Sequence, residues 1–306
     1  MVCLFCYISL TTARILTYTH FLAIIDKLPQ VRNGETGDWI GTFSGHKGAV
    51  WSTKIDRLTR TLAVTTSGDF TAKLWCATTG KELYEYKHKH VVKSADFSHD
   101  TEQFVTGCQD GILRVYNTCS PEAAPLQFNH SNDSVRADPI TRVHWGAKDS
   151  SNTVVVGRRS GFVELWDVRC PSGEDSGRKP AALRQIEAGS QIIDVELGGS
   201  ATSSDMLVAS GKQVSVLNAE LAVVRSYTMP DSMNFKEEGG VSLHPDGKTF
   251  MAGASDLWLR EFDVASGEVL RTFKGHHGPI RTVRFHPSGK VVASGSEDAT
   301  IRLWTV

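Results

Sequence analysis

The chain has 306 residues and a formal net charge of −1. That balance excludes a protein held to nucleic acid or an anionic membrane by a strongly basic face. With 40% hydrophobic and 22% charged residues it has the composition of a globular protein with a substantial core, and no apolar run reaches the ~18 residues that a membrane-crossing helix needs.

Met1–Leu10 is apolar but lacks the basic flank and small-residue cleavage site of a secretory signal. It reads as an edge strand, or as a start region outside the ordered fold. Cys3 and Cys6 have the spacing of half a zinc site, yet no second Cys or His pair stands nearby. The six cysteines therefore read as reduced thiols, with no metal site. Phe21–Asp26 and Leu28–Asn33 are predicted strands, Glu35 to Gly37 a turn, and Trp39–Phe43 a further strand leading to Gly45-His46.

From His46 one pattern recurs. Alternating runs at Ala49–Ile55, Leu62–Thr66, Ala72–Trp75 and Glu82–Tyr86 are separated by turn residues. Within it, His46, Thr65, Asp69 and Trp75 can form one hydrogen-bonded chain. Trp donates, Asp accepts, and His and Thr do both. The next copy holds His88, Thr106, Asp110 and Tyr116 at the same spacing from Thr to aromatic, with tyrosine supplying a hydroxyl on an aromatic plate. The fourth copy keeps Trp166-Asp167 but has Val156 and Ser160 at the hydroxyl and Asp positions. It follows an insertion over Asn129–Asp138 and precedes a polar loop at Pro171–Lys179. The fifth (Ile192–Leu197, Met206–Ser210, Val214–Leu217, Val223–Tyr227) has no tetrad. The sixth keeps Asp256, but Phe262 cannot donate. The last carries His276, Ser294, Asp298 and Trp304 on three short strands.

The anchors Trp75, Tyr116, Trp166, Leu217, Phe262 and Trp304 lie 41, 50, 51, 45 and 42 residues apart. This period belongs to four-stranded propeller blades, and the Gly-His to Trp-Asp pattern resembles the WD repeat. The fold expected is therefore an all-β, seven-bladed WD-repeat propeller. Its blades fall at about 21–44, 45–87, 88–129, 139–189, 190–231, 233–274 and 275–306, and residues 1–20 form an atypical N-terminal segment. Because the chain stops after the third strand of the last blade, that segment is expected to supply a closing strand, or degenerate strands of a weak first blade.

The recurring Ser, His and Asp fall at tetrad spacing with an aromatic partner, so they read as fold-forming. No Gly-rich phosphate loop opens a helix. No catalytic, cofactor-binding or metal residue is assigned. Residues flanking the Gly-His and Asp positions face one end of a propeller. Trp51, Lys93, Gln109, Arg159, Arg281 and Glu297 are the candidate protein-binding residues there, since Trp and Arg are typical interface anchors. Arg158-Arg159 could meet an acidic partner or RNA phosphate, but two arginines do not make a nucleic-acid site.

Gly37–Trp51 (GDWIGTFSGHKGAVW), Asp69–Trp75 (DFTAKLW), His88–Lys93 and Lys274–Trp304 together resemble the family of serine/threonine-kinase-receptor-associated, or Unr-interacting, proteins. The resemblance implies a non-catalytic adaptor, monomeric within larger complexes, in the cytoplasm and also the nucleus. Its implied partners are survival-of-motor-neuron complex components, in spliceosomal ribonucleoprotein assembly, an Unr-like RNA-binding protein, and receptor kinases of transforming-growth-factor-β signalling. No direct contact with nucleic acid or membrane is implied. This chain departs in lacking the family's opening Gly-His repeat and the tail after its last blade. The alternative is the WD-repeat subunit i of translation initiation factor three, which shares GxxGAVW and KGHxGPI.

Overall fold

Short runs of β-branched and aromatic residues, broken every few positions by Gly, Asp, Ser and Pro, can bury themselves only as antiparallel hairpins. The computed structural model describes residues 3–7, 19–24, 27–33, 36–56, 58–129, 138–146, 152–169, 182, 184–198, 205–235 and 239–306. These form twenty-seven strands in seven antiparallel sheets. No helix among the described residues is long and apolar enough to cross a membrane.

The first blade is β1 (Cys3–Tyr7), β2 (Thr19–Ile24), β3 (Gln30–Asn33) and β4 (Trp39–Thr42), and the second is β5 (Val50–Ile55), β6 (Leu62–Ser67), β7 (Thr71–Cys76) and β8 (Glu82–Lys87). The third holds β9 (Val92–Phe97), β10 (Gln103–Cys108), β11 (Leu113–Asn117) and β12 (Leu126–Phe128). The fourth holds β13 (Ile140–Trp145), β14 (Thr153–Arg158), β15 (Phe162–Asp167) and β16 (Arg184–Glu187). Then come β17 (Ile192–Leu197), β18 (Met206–Ser210), β19 (Gln213–Leu217) and β20 (Val223–Thr228), followed by β21 (Gly240–Leu243), β22 (Thr249–Gly253), β23 (Leu259–Asp263) and β24 (Val269–Phe273). The seventh blade has β25 (Ile280–Phe285), β26 (Val291–Ser296) and β27 (Ile301–Thr305).

Each first strand lies against the first strand of the next blade, from β5 round to β25, and β1 lies against both β25 and β5. The ring is thereby closed. The N-terminal strand does not complete the last blade. Cys3–Tyr7 pairs with Thr19–Ile24 inside the first sheet, and β27 has no outer partner among the described residues. The stretch before Phe21 thus supplies the innermost strand of blade one. The side chains of residues 1–26, with Cys3 and Cys6 among them, and the expected loops over 130–137 and 171–179 lie outside what is described.

The core sits between blades. Val31 and Phe43 of the first blade pack with Ile55, Ala63 and Trp75 of the second, and Tyr86 of the second packs in one cluster with Phe97, Phe104 and Tyr116 of the third. Farther round, Met251 and Leu259 of blade six meet Ile280, Val283 and Phe285 of blade seven. Outer strands stay exposed, as at Val223-Val224 and Val269-Leu270. Inner strands cannot pair with a neighbouring sheet, so side chains from the preceding blade satisfy their backbone. Asp96 accepts from Trp145 N at 3.0 Å, Glu196 from Leu243 N at 2.8 Å, and Ser242 Oγ from Phe285 N at 2.8 Å.

Two equivalent glycines fix the loop geometry. A Cβ on Gly48 would stand 2.5 Å from Asp69 N, and one on Gly278 would stand 2.8 Å from Asp298 N. In blades two and seven the entering loop therefore passes too close to the turn between the second and third strands for any side chain at this position.

Candidate interaction face

The expected hydrogen-bonded chains are present in blades two and seven. Trp75 Nε1 donates to Thr65 Oγ1 at 2.8 Å, Thr65 meets His46 Nε2 at 2.6 Å, and His46 Nδ1 meets Asp69 Oδ2 at 2.9 Å. With Nδ1 donating to Asp69 and Thr65 donating to Nε2, every polar atom has its partner. Trp304, Ser294, His276 and Asp298 repeat this at 2.8, 2.7 and 3.0 Å. Burial works to raise the Asp69 and Asp298 carboxyls. Hydrogen bonds from the histidine, the following threonine and the loop backbone outweigh it and hold both well below the usual range.

Blade three departs from the expected tetrad. His88 Nε2 meets Thr106 Oγ1 at 2.9 Å and Tyr116 Oη at 3.2 Å, but its Nδ1 donates to the Tyr86 carbonyl at 3.1 Å. Asp110 instead accepts from Arg114 Nη2 at 2.6 Å. Asp256 of blade six is likewise bound by Arg260, four residues on. In these two blades the arginine two residues before the aromatic takes the turn Asp, whereas in blade seven Arg302 holds that position and Asp298 stays with His276. In blade two that position is Lys73, which is drawn off by Glu82 and Glu85, each at 2.8 Å. Blade four builds a different chain: Trp166 Nε1 donates to Glu164 Oε2 at 2.8 Å, and Arg158 pairs with the same oxygen. Arg158 is 2% exposed, so it is a strut and cannot meet a partner as its sequence position suggested.

One face of the ring carries the loops entering the first strands and the turns between second and third strands. Gly68, Gln109, Arg159 and Glu297 occupy one equivalent turn position, each donating its backbone N–H to the residue before a first strand: Ala49, Val91, Pro139 and Pro279. Gln109 and Glu297 are half-buried and Arg159 is exposed.

The first strands share an irregularity. In blades two, three, four, five and seven the pairing register shifts around one residue: Trp51, Lys93, Thr141, Ile193 and Arg281. Such a bulge leaves one residue out of the ladder and re-aims its side chain. Three of the six predicted binding residues are therefore bulge residues. The bulge follows from a register that sequence alternation does not show.

Lys93 Nζ lies 3.0 Å from the centroid of the Trp51 ring, and both side chains are half-buried. Burial pushes the Lys93 amine down to about 7, aided by the guanidiniums of Arg142, Arg159 and Arg281. Arg281 itself pairs with Glu297. Arg142 was not foreseen. It reaches Asp194 at 3.4 Å, and Asp194 also binds Arg284 of blade seven at 2.7 and 2.9 Å. Burial works to raise Asp194, and Arg284 and Arg142 override it, holding the carboxyl near about 2. Farther along the same face Lys274 lies 4.1 Å from the Trp258 ring centroid, a second cation–aromatic pair that the sequence reading also missed. The repeat register could have revealed Arg142, since it follows directly on the bulge position.

Among the described residues, no group of three or more His, Cys, Asp or Glu is placed to hold a metal ion. The His, Ser, Thr and Asp that might suggest hydrolytic chemistry are engaged in the buried chains above.

Residues 37–76, 80–117 and 267–305 match the WD domain, G-beta repeat family. Serine-threonine kinase receptor-associated proteins from Gallus gallus and Homo sapiens are each 36% identical to the chain, over 302 and 301 residues, spanning 97% of this chain and 79% of each relative. The Dictyostelium discoideum protein of the same name is 36% identical over 92% of this chain and 88% of its own length.

The chain belongs to the serine-threonine kinase receptor-associated protein family.

Translation initiation factor 3 subunit I from Culex quinquefasciatus is more distant, at 27% identity over 91% of the chain. The higher identity to the receptor-associated proteins favours that family over the initiation-factor subunit. As a member of the receptor-associated family the chain is a WD-repeat scaffold for protein binding, and such scaffolds are typically non-catalytic.

Proposed function

We propose that this chain is an adaptor that holds partner proteins on the face carrying Trp51, Lys93, Gln109, Arg159, Arg281 and Glu297. Family membership at 36% identity over 97% of the chain carries the reading. The relatives' name speaks of receptor kinases, and the sequence resemblance adds survival-of-motor-neuron components and an Unr-like RNA-binding protein, in cytoplasm and nucleus. The half-buried Trp51 supports this face over the outer rim, because aromatic and cationic side chains centred on a surface are the usual anchors of protein interfaces. The test is affinity capture of the tagged chain and its Trp51→Ala variant, followed by mass spectrometry. Recovery of survival-of-motor-neuron, Unr or receptor-kinase components by the wild type, with loss in the variant, supports the proposal. Recovery of initiation-factor subunits in their place overturns it.

A further inference from the structure

The mouth of the channel gathers cations from separate blades. Lys93 comes from blade three, Arg142 and Arg159 from blade four, and Arg281 from blade seven; the three guanidiniums all act on the Lys93 amine. Lys93 and Arg281 are placed by bulges that turn them out of their ladders, and Arg142 follows the bulge at Thr141. The arrangement is thus built into the backbone of three blades. It is also under-neutralised. Glu297 serves Arg281, and Asp194 is shared between Arg142 and Arg284. Neither Lys93 nor Arg159 has a carboxylate partner among the described residues. Among the described residues the Lys93 ammonium rests on the Trp51 ring, which does not cancel its charge.

A half-desolvated ammonium held among guanidiniums costs the free protein stability, and an anion seated there would relieve that cost. A single phosphate would need the cations to close on one point. Here they come from three blades, the adjacent third and fourth and the seventh, two on bulges, one beside a bulge and one in a turn, and fit charges spaced along a chain.

We infer that the channel mouth formed by Trp51, Lys93, Arg142, Arg159 and Arg281 is the docking site for an acidic peptide segment, a run of Asp or Glu carboxylates in a partner protein. This inference rests on the adaptor reading and gives its face a ligand chemistry.

The test uses the purified full chain and a fluorescein-labelled octaglutamate peptide, read by anisotropy. Octaserine, a serine peptide with one phosphoserine, and an eight-nucleotide single-stranded RNA serve as comparisons. The expected result is saturable binding to octaglutamate that weakens at least fivefold between ~50 and ~300 mM salt. Arg159→Glu and Lys93→Gln should each weaken it about tenfold or more. Lys290→Glu, an exposed site on the turn at the opposite end of β26, should leave it unchanged. Near-ultraviolet circular dichroism confirms that each variant keeps its packing. Absence of octaglutamate binding, tighter binding of the phosphopeptide or the RNA, or indifference to Arg159→Glu overturns the inference. If the wild-type chain still captures its partners through Trp51 while octaglutamate fails to bind, the adaptor reading survives and the acidic-segment inference alone is lost.

Discussion

Replacing Thr65 by valine tests the tetrads at the group that touches most of them. Valine has nearly the shape of threonine, so the change removes a hydroxyl and leaves the packing volume alone. That hydroxyl accepts from Trp75 Nε1 at 2.8 Å and meets His46 Nε2 at 2.6 Å. Trp75 is 0% and His46 6% exposed, so water cannot take its place. Two buried polar groups are orphaned, at about 1–3 kcal/mol each, for a total of about 2–6 kcal/mol. At about 2 °C per kcal/mol for a chain of this size, the midpoint should fall by ~4–12 °C in scanning calorimetry. Thr65→Ser, which keeps the hydroxyl, should recover most of the loss. Thr106→Val is the internal comparison. There His88 Nε2 retains Tyr116 Oη at 3.2 Å, and its Nδ1 bond to the Tyr86 carbonyl is untouched, so the cost should be near ~1 kcal/mol. A loss below ~1 kcal/mol at Thr65, or an equal loss at both sites, would refute the view that the tetrads hold the blades together.

Further outcomes follow from the same geometry. Gly48→Ala places a methyl against the Asp69 backbone and should destabilise by more than ~1 kcal/mol in urea titration, whereas alanine at Gly41, where no atom lies within 4 Å, should be nearly silent. Asp298 has a carboxyl whose pKa is depressed in the fold, so its contribution is present above about pH 4 and lost as pH falls below it. Asp298→Asn should therefore lower stability at neutral pH and flatten the acid limb of a stability–pH curve. Glu196 behaves oppositely. Burial pushes its carboxyl up to about 7, so between ~4.5 and 7 the folded chain keeps a proton that the unfolded chain has released, and stability falls as pH rises through that window. Glu196→Gln should remove this decline, and an unchanged slope would rule it out.

Much of the architecture was legible because each blade repeats both its apolar alternation and its polar chain. The spacing from Thr65 to Trp75 recurs from Thr106 to Tyr116 and from Ser294 to Trp304, and that repetition marks the blades and their second and third strands. What it could not set was competition between neighbours. Asp110 sits at tetrad spacing, yet Arg114 lies closer to it and claims it. Arg158 drew notice in the sequence only as a surface cation and Glu164 drew none; they meet because the pairing of β14 with β15 sets them diagonally across the ladder. The first blade was obscure because β1 and β2 are separated by eleven residues without a turn signature. The cationic mouth was half visible. Lys93, Arg159 and Arg281 were found from loop position, whereas Arg142 required the bulge, a shift of register that period-two alternation hides.

The most direct test of the central claim is a hydrogen-exchange footprint of the chain bound to a captured partner. The account predicts slowed exchange at 49–52, 91–93, 109–110, 159–160 and 296–298, with the outer strands β20 and β24 unchanged. Protection confined to Val223–Thr228 and Val269–Phe273 would place the partner on the rim and contradict it.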